Sequence, residues 1–159
     1  PFAGNEVDVL LDQAIREEYP EVDVPLTMIR KFKESYSYVG ESESGARVKI
    51  PVGGKPRKIE IGKQVGESCK HLLQEVFESI KKVIAMASPQ SVFSLLQNII
   101  LTGGGSRIRN FDQELQRLLA DGGYEDPEVT ISSREIKPFV AMGAMKVAKA
   151  ARDDQWVRL

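Results

Sequence analysis

The chain has 159 residues, room for one ordinary domain or two small lobes, and its 42% hydrophobic and 28% charged content is that of a globular protein. Lys plus Arg number 22 against 23 Asp plus Glu, a net charge of −1, which excludes the clustered basic excess of a nucleic-acid binder. A single cysteine, Cys69, excludes an internal disulfide framework and a cysteine-rich metal site and fits a reducing, cytoplasmic setting, while no apolar stretch nears the ~20 residues of a membrane span. The opening Pro1-Phe2-Ala3-Gly4 lacks Met and any signal-peptide pattern. It reads as a start inside a structural element, which points to a fragment or domain, or to removal of the initiator Met before proline.

The first helix opens at Gly4-Asn5, with Asn5 as its expected cap and with Glu6 and Asp8 where the helix dipole favours negative charge. Val7, Leu10, Leu11, Ala14 and Ile15 mark its buried face, and Tyr19-Pro20 stops it. Pro25-Leu26-Thr27 begins a second helix. Its apolar side is Met28, Ile29, Phe32 and Tyr36, and Arg30, Lys31, Lys33 and Glu34 read as a solvated face. After a Gly- and Ser-rich loop, residues 47–52 and 57–61 alternate with period two around Gly53-Gly54-Lys55, a hairpin with one polar face.

Residues 64–87 carry the longest helical pattern, with Val65, Cys69, Leu72, Leu73, Val76, Phe77, Ile80, Val83 and Ile84 on one stripe that must bury against a sheet or another helix. Cys69 on that stripe reads as a packed thiol, and His71 stands off it with no partner set for catalysis. Ser88-Pro89 starts a short helix. Ile99-Ile100-Leu101 then reads as a strand covered on both faces, ending on Gly103-Gly104-Gly105 and turning straight into a helix near Phe111. Such a corner gathers free backbone N–H groups at a positive helix end, which suits a phosphate or a nucleotide; a plain tight turn is the other reading. Residues 128–131 form a short strand. Residues 138–151 form a helix with Ala141, Gly143, Ala144 and Ala148 on its close-packing side, and Trp156 ties down the tail. Helix, strand, helix, strand, helix in this second half suits parallel strands under helices.

Several of these segments resemble one family. Arg30-Lys31-Phe32-Lys33-Glu34, followed by Tyr38-Val39, resembles the actin-family helix that carries Arg-x-x-Lys-Glu and then Tyr-Val. Leu101-Thr102-Gly103-Gly104-Gly105-Ser106 resembles the family's adenosine loop, in a form closer to bacterial than to eukaryotic actins. Lys137-Pro138-Phe139-Val140-Ala141-Met142-Gly143-Ala144 is similar to the start of the last helix, and Ala3-Gly4 resembles the step that opens the fourth subdomain. Residues 137–156 look more like the magnetosome actins than the cell-shape actins.

The resemblance implies an α/β, actin-like (ribonuclease H-like) lobe without its N-terminal partner lobe. Residues 4–62 would be an α+β subdomain four, two helices plus a hairpin, inserted in a subdomain three of residues 63–159. It implies that Arg30, Lys33 and Glu34 edge the adenosine of ATP or ADP. Gly4, Gly103, Gly104, Gly105, Ser106, Ile108 and Lys137 would complete that binding set. Glu34 would accept bonds from ribose hydroxyls, Arg30 would stack on the base, and Ile108 would give an apolar wall. None of these residues would be catalytic. The phosphate and Mg²⁺ loops and the water-positioning residue would belong to the other half of an intact ATPase. Expected partners are that missing lobe and further copies in a cytoplasmic filament, with no nucleic acid and no direct membrane insertion. A sugar kinase or heat-shock chaperone of the same fold, or a non-enzymatic interaction domain, are the alternatives.

Overall fold

The structure, a computed structural model, describes residues 4–41, 45–132 and 136–152, and the side chains of all of these but 136–140. Helix α1 (Gly4–Glu18) buries Val7, Leu11 and Ile15 completely, one per turn of its inner face. Asn5 lies within this helix, so it is not the cap. Helix α2 (Leu26–Tyr36) follows Pro25 and buries Ile29, with Met28, Phe32 and Tyr36 partly covered.

Strands β1 (Arg47–Val52) and β2 (Lys55–Glu60) pair antiparallel, with Val48 opposite Ile59 and Ile50 opposite Arg57. Gly53 and Gly54 both take positive φ, 56° and 78°, the requirement of a two-residue turn that matches the strand twist. The second strand therefore starts at Lys55, earlier than its alternation indicates. Val48, Ile50 and Ile59 supply the buried face.

Helix α3 (Gly62–Met86) is the spine, about 37 Å long at 1.5 Å per residue. Its first half buries Val65, Cys69, Leu72 and Leu73 against α1, α2 and α5 (Phe111–Asp121). Its second half departs from expectation: Val83 is 59% exposed and Met86 87%. Helix α4 (Pro89–Leu96) leads to β3 (Ile99–Leu101), which pairs in parallel with β4 (Val129–Ile131), α5 crossing between them.

Two packing expectations fail on this side. Strand β3 is not covered on both faces, because Ile100 stands 62% exposed. In helix α6 (Ile136–Ala150) the expected close-packing side is open, with Ala141, Gly143 and Ala144 exposed. Pro138 falls in the first turn of α6, where a missing N–H costs nothing. Ala3, the loop at 42–44, the side chain of Lys137 and the tail with Trp156 lie outside the described residues.

Candidate functional site

The glycine corner does not run straight into a helix. After β3, Gly103 adopts φ +88°, a 3₁₀ turn covers Gly104–Arg107, and Ile108 is extended before Asn110, left-handed at φ +61°, leads into α5. The turn is closed from inside: Ser106 Oγ donates to the Gly103 carbonyl at 2.8 Å and the Ile108 N–H donates to the Gly105 carbonyl at 3.1 Å. Ser106 and Ile108 are both buried, and a Cβ on Gly105 would stand 3.4 Å from Leu72 Cδ2. The underside of the corner is thus packed on α3. Its upper side is open, for a Cβ placed on Gly103 or Gly104 would meet nothing within 4 Å.

A backbone stitch ties this corner to the end of α2. The Val39 N–H donates to the Arg109 carbonyl at 3.1 Å, and the Arg109 N–H donates to the Ser37 carbonyl at 3.3 Å. Tyr38 and Arg109 form a parallel bridge, and the Arg109 guanidinium reaches back to the Ser37 carbonyl at 3.4 Å. Tyr38 Oη donates to the Gly62 carbonyl at 3.1 Å and lies against Gly66, where a Cβ would fall 2.5 Å from that oxygen. Tyr38 and Gly66 therefore fix α3 and the chain leaving α2 at a spacing only glycine allows.

The polar face of α2 is not simply solvated. Asp8 of α1 is fully buried, and its Oδ2 takes the Arg30 Nε hydrogen bond at 2.9 Å. Its Oδ1 has no hydrogen bond of good geometry but stands 2.5 Å from Lys33 Nζ, close enough for a strong ion pair in a desolvated place. Lys33 also donates to the Gly4 carbonyl at 2.7 Å, and Arg30 Nη2 donates to Asn5 Oδ1 at 3.2 Å. The Lys33 side chain is only 16% exposed.

The structure thus gathers Gly4, Arg30 and Lys33 into one cluster and leaves Glu34 exposed beside it. The glycine corner is joined to that cluster's helix through Ser37, Val39 and Arg109. Asp8 and Arg109 were missed as site-building residues. The signal for Asp8 was its place on the Val7, Leu11, Ile15 face, where a carboxylate has to find a cation.

Cys69 is fully buried, and burial pushes its thiol from 9.0 up to about 11, with a backbone bond at Tyr38 and the charge of Lys33 pulling the other way. It is a packed, protonated thiol. Among the described residues no three His, Cys, Asp or Glu side chains gather as a metal site, and no helix is long and apolar enough to cross a membrane.

Residues 1–154 match the MreB/Mbl protein family. The chain is 31% identical over 157 residues to the actin-like protein MamK of Paramagnetospirillum magneticum, covering 99% of this chain and 44% of the relative. It is 32% identical over 158 residues to MamK of Magnetospirillum gryphiswaldense, with 99% and 43% coverage. It therefore spans less than half the length of these curated relatives. Among solved structures, a MamK double helical filament superposes with a TM-score of 0.85 at 31% identity, over 94% of this chain and 45% of that one. A non-polymerising MamK mutant bound to AMPPNP gives 0.83 at 30% identity, over 93% and 45%. The fold is an α/β actin-like lobe, and the chain belongs to the MreB/Mbl protein family.

Proposed function

We propose that this chain is the nucleotide-binding half of a bacterial actin-like cytoskeletal protein that polymerises into ATP-dependent filaments, in a role akin to the organisation of magnetosomes. The observation that carries it is the likeness of nearly the whole chain to less than half of MamK, whose solved structures include a filament and an AMPPNP complex of a non-polymerising mutant. Residues 4–62 read as subdomain four and residues 63–159 as subdomain three. The intact protein, with the other half supplying the phosphate and Mg²⁺ loops, would be a cytoplasmic ATPase whose nucleotide state sets assembly.

The geometry supports the adenosine end of such a site. The open side of Gly103 and Gly104 leaves room for a flat purine against bare backbone. Glu34 is exposed and has acceptor oxygens for ribose hydroxyls. Lys33 and Arg30, gathered with Gly4 and Asp8, would form a further wall. Ser106 and Ile108 hold the corner from beneath, and Lys137 in the first turn of α6 would close the adenine side.

Electron microscopy of the full-length protein with ATP and Mg²⁺ tests the assembly reading; filaments are expected, and their absence at every salt and protein concentration refutes it. Gly104→Trp tests the corner. A Cβ at Gly104 meets nothing within 4 Å, so a side chain can leave the backbone there without a clash, and thermal melting checks that the variant folds. Calorimetric titration with ATP should show affinity reduced at least ~100-fold, the scale of losing a whole buried ring contact. Unchanged affinity would leave the corner a plain turn.

A further inference from the structure

We propose that Asp8 is a positioning residue for Lys33, fixing where that lysine meets the base and ribose of an adenine nucleotide; the inference rests on the nucleotide reading above. An ionised carboxylate with no exposed surface is kept inside a protein only when cations accompany it. Asp8 has two, at 2.9 Å and 2.5 Å, and both come from a different helix. Arg30 is 48% exposed and has Asn5 as a second anchor, so it does not depend on Asp8 alone. Lys33 has the Gly4 carbonyl as its other anchor, and Asp8 is its one charged partner among the described residues.

A lysine ammonium carries three donors on a flexible stem and has no preferred direction of its own. Here one donor is spent on the Gly4 carbonyl, and the ion pair with Asp8 holds the ammonium in place. The ammonium keeps further donor capacity, and its side chain is 16% exposed. Helix α1 thus fixes Lys33, and Glu34 follows it on α2 as an exposed residue. A clamp that only joined α1 to α2 would be served as well by apolar residues of equal volume. What the ionic arrangement adds is a fixed ammonium position.

The test is a double-mutant cycle in the full-length protein, Asp8→Asn, Lys33→Met and both together. Calorimetry gives the Kd for ATP and for GTP, and thermal melting follows the fold. If Asp8 acts through Lys33, each single substitution weakens ATP binding about tenfold and the pair is no weaker than Lys33→Met, a coupling within the range seen for contacting residues. The ATP-to-GTP preference falls in the same proportion for all three.

Should Asp8→Asn fail to fold, the double variant removes both buried charges together, and its Kd against that of Lys33→Met still decides the matter. Equal values support the role. A further tenfold loss in the double variant overturns it, as does Asp8→Asn melting earlier with both Kd values unchanged. Wild-type protein that binds no ATP overturns the nucleotide reading itself, a different result from additive losses on a protein that binds.

Discussion

The two halves of α3 carry the same apolar stripe and meet different fates. From Ile61 to Leu73 the stripe is sealed by α1, α2, the hairpin and α5, and Ile61, Val65 and Cys69 are fully buried. From Val76 onward it borders an apolar groove of about 470 Å³ lined by Val76, Ile80, Val83, Leu95 and Ile99. Val83 at 59% exposure and Leu95 at 40% are the open side chains of its lining. Helical periodicity states that a face is apolar; it does not state how much of the face its own chain covers. The closed half is where the candidate site hangs, because a ligand-recognition cluster has to be held on rigid elements.

The largest effect that would break this comparison is at Asp8. Replacing it with Ala leaves two cations facing an emptied, buried position, and urea unfolding should show about 3–5 kcal/mol lost, the usual cost of orphaning one side of a buried pair. Leu11→Ala should cost about 2–5 kcal/mol in the same assay, because Leu11 is wholly enclosed and its cavity cannot collapse freely. Val83→Ala, on the same kind of stripe but 59% exposed, should stay within about 0.5 kcal/mol. Similar costs at Leu11 and Val83 would erase the distinction between the halves.

Cys69 sharpens the comparison through pH. Its folded thiol is pushed up to about 11 from 9.0, chiefly by burial. Below pH 9 both folded and unfolded chains hold the proton, and the contribution is constant. Above it the unfolded chain ionises first, so stability falls as pH rises from 9 to about 11. At 1.36 kcal/mol per unit, the loss is about 2–3 kcal/mol. Urea midpoints across that range should decline more steeply for the wild type than for Cys69→Ala. Parallel declines would mean that the closed half admits solvent.

Much of the fold was legible because local chemistry decided it. Tyr19-Pro20, Pro25 and Ser88-Pro89 punctuate helices for reasons of backbone geometry, and Gly53-Gly54 sets the hairpin through positive φ. The parallel pairing of β3 and β4 followed from helix–strand alternation. What was not legible depends on residues distant in sequence. Asp8 reads as a dipole partner until α2 brings Arg30 and Lys33 to it across 22 and 25 positions. The Arg109 stitch joins residues about 70 apart and has no motif. The exposure of Ile100 and of α6 is likewise a property of which neighbours are present, and an apolar run looks the same with or without them.

The smallest expected change in stability tests the open half most directly. Val83→Ser and Leu95→Ser together remove apolar surface from the groove without touching the sealed core. Both side chains already meet solvent, so little transfer free energy is at stake, and the urea midpoint should move by less than about 0.5 kcal/mol. Association is a different matter. A contiguous apolar face formed by α3, α4 and β3 favours contact between molecules in proportion to the area it removes from water. Sedimentation of the 159-residue chain should therefore show a mean mass that rises with concentration, and the double substitution should flatten that rise while leaving the melting curve in place. A rise that persists would move the self-association to another surface. The hairpin is the next to examine, since the cross-strand pair Lys49 and Lys58 sets two like charges face to face, and cations so placed are relieved by an acidic partner or by salt.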